Sequence, residues 1–262
     1  MIFDTHAHYD DKSFNEDRHS LLSSMREENV GRIVNVGCDL RSSKRSVELA
    51  QKYIDVYAAV GYHPSDVQGV DMEEAFAEMR KLLKNPKSVA VGEIGLDYHW
   101  MKDPKGQKIQ KTWFKKQLSL AKELRKPIII HSREASADTM DVLRKYYDPG
   151  ASPLVMHCYS YGWEEAKVLL EEGCYLGIGG TITYKGSDSV VETVKKAPME
   201  NILLETDCPY LSPVPNRGKR NDSSNIRYVV EEISKIKGIS PSEVEDITWK
   251  NAQRFYRVGG SR

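Results

Sequence analysis

Cysteine is scarce in this chain: Cys38, Cys158, Cys174 and Cys208 are its four thiols in 262 residues. None of them forms a CxxC pair, which argues against a zinc ribbon, a redox dithiol or a disulfide scaffold. Reduced thiols and a cytoplasmic setting are the expectation. Net charge is also missing. Lys+Arg and Asp+Glu both count 38, so no overall field draws in a polyanion, and any nucleic-acid contact must come from local charge or from metal. No apolar run nears the ~20 residues of a membrane span, and no basic start precedes a long apolar stretch, so neither a membrane segment nor a secretory signal is expected. Gly/Ser-rich and Pro-rich linkers are absent, which makes one domain over 1–262 the economical reading. A phosphate-cradling GxxxxGK[ST] is lacking too, and the GIGG at 177–180 has no lysine after it, which sets aside a nucleotide-phosphate binder.

What the chain does contain is a regular alternation. Short apolar or β-branched runs recur at Ile2–Thr5, Arg32–Gly37, Val56–Gly61, Ser88–Gly92, Pro127–Ile130, Leu154–Met156, Cys174–Ile178 and Ile202–Thr206. Most are near-continuously apolar, as strands buried on both faces should be. Helical spacing of apolar residues fills Glu73–Leu83, Thr112–Leu124, Ala135–Tyr146, Glu164–Leu170 and Ser189–Val194. Eight such alternations predict a (β/α)₈ barrel. Two further helices, over Ser223–Lys237 and Pro241–Tyr256, are expected at the C-terminus, the second opened by Ser240 with Pro241 in its first turn.

A barrel of this kind builds its site where strands end and βα loops begin. The polar residues at those ends are His6 and His8 after the first run, His63 in GYHP, Glu93 in VGEIGLDY, His131 in IIIHSRE, His157 in LVMHCYS and Asp207 in LLETDCPYL. Five of the seven histidines fall at such ends, and the second and seventh runs offer no ligand. In a strand, residues i and i+2 share a face, so His6 and His8 aim together into the mouth. Imidazole with carboxylate suits zinc, manganese or iron better than calcium. Six candidate ligands (His6, His8, Glu93, His131, His157 and Asp207) exceed the three or four of one catalytic zinc and suit two divalent ions bridged by a carboxylate. The expected division is His6, His8, Glu93 and Asp207 for one ion and Glu93, His131 and His157 for the other. A buried histidine taken singly is more often a hydrogen-bonded core group; one positional rule selecting all of them weighs against that here. Glu205 shares a face with Asp207 and is expected to support the ligands rather than join them.

The motifs FDTHAH, GYHP, GEIGLDY, HSREA, MHCYS and ETDCPYL, followed by NRGKRN, occur in this order from Phe3 to the helical C-terminus. The chain thereby resembles the TatD-related metal-dependent deoxyribonucleases, a branch of the amidohydrolase-like barrels. HxH is widespread; GEIGLDY combined with ETDxPYL and RGKRN is highly specific. The family's ligand pattern maps onto His6, His8, Glu93, His131, His157 and Asp207. One departure is Asp222-Ser223, where the family usually has Glu-Pro.

The resemblance implies hydrolysis of DNA from an end, 3′ to 5′, with two divalent ions (magnesium, manganese or zinc) activating a water. Glu93 bridges in this scheme, Asp207 accepts the water's proton, and His63 and Arg133 donate to phosphate oxygens. Arg217, Lys219 and Arg220 are expected to contact the substrate backbone, and Tyr98 and Trp100 to stack on bases. A surface salt bridge, a solvated loop and simple packing are the plainer readings of Arg133, of the basic cluster and of the two aromatics. The substrate partner is DNA, single-stranded or at an end, and the protein is expected to act as a monomer. The alternative is an amidohydrolase-type enzyme for another small ester, amide or phosphodiester. Such relatives often bridge their ions with a modified lysine on the fourth strand, where this chain has Glu93.

Overall fold

The structure, a computed structural model, describes residues 1–259; the last three residues of the expected domain, 260–262, lie outside the described residues. Strands and helices alternate: β1 (Ile2–Ala7), α1 (Arg18–Ser24), β2 (Val30–Val36), α2 (Leu40–Lys52), β3 (Val56–Val60), α3 (Met72–Leu83), β4 (Ser88–Asp97), α4 (Pro104–Leu124) and β5 (Ile128–Arg133). The order continues with α5 (Ser136–Tyr146), β6 (Leu154–Met156), α6 (Trp163–Glu171), β7 (Tyr175–Ile178), α7 (Asp188–Lys196), β8 (Ile202–Leu204), α8 (Ile226–Lys237) and α9 (Pro241–Tyr256). All eight strands pair in parallel in sequence order. The two ends of the sheet meet where Ala7 bridges Cys208, with Asp207 N–H donating to His6 O at 2.9 Å and His8 N–H to Cys208 O at 2.8 Å. Thr206 Oγ1 donates to Asp4 Oδ2 across the same seam at 2.6 Å. This is the expected (β/α)₈ barrel.

Burial on both strand faces explains the continuous apolar runs. Along β5, Ile128 and Ile130 join the cluster shared with the surrounding helices, while Ile129 joins a second cluster with Phe3, Val34, Val155 and Leu203. That second cluster is the barrel interior, and α9 closes its floor with Trp249, Phe255 and Tyr256. Each such side chain contributes about 1.5–3 kcal/mol when withdrawn from water. The start of α9 is the expected one: Glu243 N–H donates to Ser240 Oγ, and the Glu243 carboxylate accepts from Ser240 N–H.

Two helices carry no expectation above, α1 and α2. The buried face of α2 consists of Ser43, Ser46, Val47 and Ala50, small and half polar, so apolar periodicity does not reveal it. Its C-terminus is closed by Lys87, whose Nζ donates to the carbonyls of Ala50, Tyr53, Ile54 and Val56 at 2.6–3.1 Å.

The strands that bear the site are longer or less regular than expected. β4 runs to Asp97 rather than stopping at Gly92, so Glu93 lies within it. Its register shifts between Val91 and Ile94, and that of β1 shifts between Asp4 and Ala7. Each shift breaks the period-two rule. Phe3 and His6 both face inward although they are three residues apart, and so do Ala90 and Glu93. Gly95 follows at φ +146°, where an added Cβ would sit 1.9 Å from His131 O, so only glycine lets β4 pass this close to β5.

Candidate metal centre

At the C-terminal ends of the strands lies a cavity of about 570 Å³, lined among others by His8, His63, Glu93, His131, His157 and Asp207. His6 is fully buried beneath it. The four candidate imidazoles each turn one nitrogen to a common centre. His6 Nε2 and His8 Nε2 lie 3.1 Å apart. Asp207 Oδ1 is 3.2 Å from His8 Nε2, 3.6 Å from His157 Nε2 and 3.7 Å from His6 Nε2. Glu93 Oε2 is 3.4 Å from His6 Nε2, and Glu93 Oε1 is 2.7 Å from His131 Nδ1 and 3.8 Å from His157 Nε2.

Three of those rings are tied at their outer nitrogen. His8 Nδ1 donates to Val36 O at 2.8 Å. His131 Nε2 lies 3.0 Å from Asp97 Oδ2. His157 Nδ1 is 3.0 Å from Glu205 Oε1, at ion-pair distance but not aligned as a hydrogen bond. His6 is the exception: its buried Nδ1 has no hydrogen-bond partner, and its ring stacks on His157 at 3.5 Å. Outer partners of this kind fix ring orientation and raise ligand basicity.

The charges suit cation binding. Burial pushes the Glu93 carboxyl up, but His157, His6 and the contact from His131 outweigh it and hold it well below the usual range. Asp207 is likewise lowered, burial being overcome by His8 and His157. Burial pushes His131 down, yet Asp97 and Glu93 bring it up to about 9; His157 reaches about 9 against the same burial, through Glu205 and Glu93. Both nitrogens of His131 face carboxylate oxygens, which only accept, so without a cation the ring carries two protons. Ionised carboxylates that hold protons on His131 and His157, while burial and the neighbouring His157 keep His6 lowered, are a donor set a divalent ion would satisfy directly. Ligand atoms of His6, Glu93 and His157, and of His6, His8 and Asp207, lie within 4.8 Å of one another. The residues present therefore fit divalent ions.

Asp207 at φ +58° and Cys158 at φ +45° flank this centre in the left-handed region, which is costly for non-glycine residues. Glu205 reaches His157 across Gly177, where an added Cβ would meet Glu205 Oε2 at 2.3 Å. Cys158 N–H donates to Glu205 Oε1 at 2.6 Å.

His63 stands at the rim with its ring 4.3 Å from that of His131. Ser65 N–H donates to its Nδ1 at 3.1 Å. Burial and the nearby His131 hold its pKa down at about 4. The neutral ring thus carries its proton on Nε2. Arg133 also lines the cavity, with its guanidinium 5.9 Å from the Trp100 ring.

The other expected substrate contacts are not brought to the cavity wall. Arg220 is bound to Asp17, with Nη1 at 2.9 Å from Oδ1, and to Ser13 O, and it lies over Phe14. Arg217 lies 4.3 Å from the Tyr184 ring centre. Lys219 is exposed in the same loop. Tyr98 is half-buried, its hydroxyl donating to Asp138 at 2.7 Å. Asp222, the departure from the usual motif, caps the turn at 223–225 by accepting from Ser224 N–H.

Four residues without an assigned role above belong to this region: Asp97, Cys38, Thr181 and Tyr210. Asp97 sits four residues past Glu93 in GEIGLD; its signal was an acid placed on the same strand. Cys38 and Thr181 line the cavity from the ends of β2 and β7, and Cys38, at a strand expected to offer no ligand, has its sulfur within 4.8 Å of ligand atoms of His8 and Glu93. All four cysteines are free.

Comparison with known proteins agrees with the geometry. The family model described as TatD related DNase matches residues 3–257. The uncharacterized metal-dependent hydrolase YabD of Bacillus subtilis is 41% identical over 98% of this chain and 100% of its own length. The uncharacterized metal-dependent hydrolase MJ1582 of Methanocaldococcus jannaschii is 36% identical over 97% of this chain and 96% of its own. The crystal structure of the TatD homolog YJJV from Escherichia coli superposes with a TM-score of 0.91 at 28% identity, covering 98% of both chains. With the barrel, the donor cluster and a match over nearly the whole length, this chain belongs to the TatD-related DNase family and is a metal-dependent hydrolase.

Proposed function

We propose that the enzyme hydrolyses DNA phosphodiester bonds, shortening a strand from its 3′ end. One observation carries this reading: four imidazole nitrogens and two ionised carboxylates converge at the mouth, in a cavity that His63 and Arg133 also line. His6, His8, Glu93 and Asp207 would hold one divalent ion and Glu93, His131 and His157 a second, with magnesium, manganese and zinc as the candidates. The chemistry such ions supply when bound is Lewis-acid polarisation of a phosphoryl oxygen and acidification of water. The family name supports DNA as the substrate.

The chain's own residues have definite tasks. Asp207, held ionised, is the base that takes the proton of the attacking water. Glu93, also ionised, stands between the two ligand sets and keeps them in fixed relation. Neutral His63 donates from Nε2 to a non-bridging phosphate oxygen, and Arg133 balances charge on the phosphate from the opposite side of His131 in sequence. Arg217 and Lys219 extend basic character beyond the mouth toward the strand backbone, whereas Arg220 serves to tie its loop to Asp17. All candidate ligands come from one chain, which supports a monomer over 1–262 as the working unit. Free cysteines and the absence of any helix long and apolar enough to cross a membrane among the described residues support a cytoplasmic setting.

The test is a substrate panel on chelator-stripped protein reloaded with magnesium, manganese or zinc. Single-stranded DNA labelled at either end, RNA, bis(p-nitrophenyl) phosphate and lactones are compared. Stepwise loss from the 3′ end of DNA is expected. Turnover of lactones without phosphodiesters would replace this reading with a C–O or C–N hydrolase.

A further inference from the structure

Two large aromatic side chains at the barrel mouth are left uncovered: Trp100 is 71% exposed and Tyr210 54%. Single exposed apolar residues are ordinary, so exposure alone carries nothing. Ile54, just ahead of β3, and Tyr146, ending α5, are also exposed but lie at the strand-start end. Placement sets Trp100 and Tyr210 apart.

Tyr210 follows β8 and lines the cavity, its ring 6.3 Å from that of His8 and its hydroxyl donating to Asp11 Oδ2 at 3.3 Å. Trp100 follows β4. Its backbone N–H donates to Asp97 Oδ1 at 3.0 Å, and Asp97 Oδ2 is 3.0 Å from His131 Nε2. The backbone that carries the indole is therefore anchored through one carboxylate to a candidate ligand. Arg133, on the cavity wall, lies beside the same ring. In a closed sheet ordered β1 to β8, the loops after β4 and after β8 are half a turn apart. The two rings thus flank the mouth from opposite sides, with the candidate ligands between them.

An occupant that matches this layout has an anionic centre with flat π-faces on both sides and a further anion near Arg133. A single-stranded oligonucleotide has that form. Resting on the DNA-hydrolysing reading above, we infer that Tyr210 and Trp100 are stacking platforms for nucleobases on either side of the scissile phosphate. Stacking accepts any base, because every base presents a π-face. Within a duplex those faces are already stacked on their neighbours, so the site selects unpaired strand over duplex. Tyr98 is excluded from this role by its half-buried ring.

The test is a cycle between protein ring and nucleic-acid base. KM is measured for an oligonucleotide with every base present and for versions with one abasic position, using wild type, W100A and Y210A. Removing the relevant base, or the ring, is expected to raise KM about tenfold. Removing both is expected to cost no more than removing one. W100F and Y210F, which keep a π-face, should return KM to within about twofold of wild type. Penalties that multiply in the double combination, or phenylalanine variants as impaired as alanine ones, overturn the platforms while leaving DNA hydrolysis standing. A wild type that cleaves no DNA with any of the three metals overturns both readings.

Discussion

Replacing Asp97 with asparagine tests whether the donor cluster is held by its outer partners. Asp97 Oδ2 lies 3.0 Å from His131 Nε2, and Asp97 Oδ1 accepts from Trp100 N–H at 3.0 Å. Burial lowers the His131 pKa, but the Asp97 contact, followed by that of Glu93, raises it to about 9. From an ordinary 6.5, that rise favours the charged ring by roughly 3 kcal/mol. When a cation takes the place of the Nδ1 proton, Asp97 still accepts from Nε2–H and keeps the ring in line. An asparagine has one acceptor oxygen for two N–H donors, so either His131 or Trp100 meets an opposing donor. Loss of such an outer partner lowers metal affinity about 10- to 100-fold, or about 1.4–2.7 kcal/mol. Calorimetric titration of manganese into chelator-stripped wild type and D97N reads the affinity. Proton NMR of the ion-free proteins reads His131, which is expected to titrate below 9 in the variant. D97N binding manganese within twofold of wild type, with His131 unmoved, would refute the argument.

Other expectations follow from the same structure. E93Q should lower the hydrolytic rate by about a thousandfold or more while circular dichroism stays unchanged; retained activity would remove Glu93 from the centre. Because His131 and His157 are raised from 6.5 to about 9 in the folded chain, their stabilising charge is fully present below 6.5 and lost as pH rises through 9. The melting temperature of ion-free protein should therefore fall across that window, and added manganese should remove most of the fall; a flat profile would contradict the shifts. K87M deletes the cap over four carbonyls and should cost about 2 kcal/mol, lowering Tm by about 4–8 °C with activity at 25 °C kept. G95A forces a Cβ against His131 O and should destabilise by about 3 kcal/mol or more, seen as loss of soluble protein or of metal binding.

The barrel was legible because its strands are buried on both faces, which writes them as apolar runs such as Ile128–Ile130 and Ile202–Leu204. α2 was not legible, because Ser43, Ser46 and Ala50 pack against the sheet by being small rather than apolar. The candidate ligands were legible because imidazole and carboxylate side chains at strand ends have few other uses. The roles of surface cations were not. Arg220 and Arg133 look alike in a sequence, yet one is paired with Asp17 and the other lines the cavity.

The sequence by itself determined the alternation of elements, the positions of the candidate metal-binding side chains along it, and the family to which the chain belongs. These are properties of residue type and spacing, and both are written in the chain. Only the tertiary structure decided how the side chains meet. The register shifts in β1 and β4 turn His6 and Glu93 inward against the simple two-residue period. Barrel closure then brings Asp207 to His8, 199 positions away, and lets Asp97 and Glu205 orient rings that lie distant in sequence. Those contacts depend on how strands are paired and staggered, and that is settled by the packing of the whole barrel rather than by any local stretch.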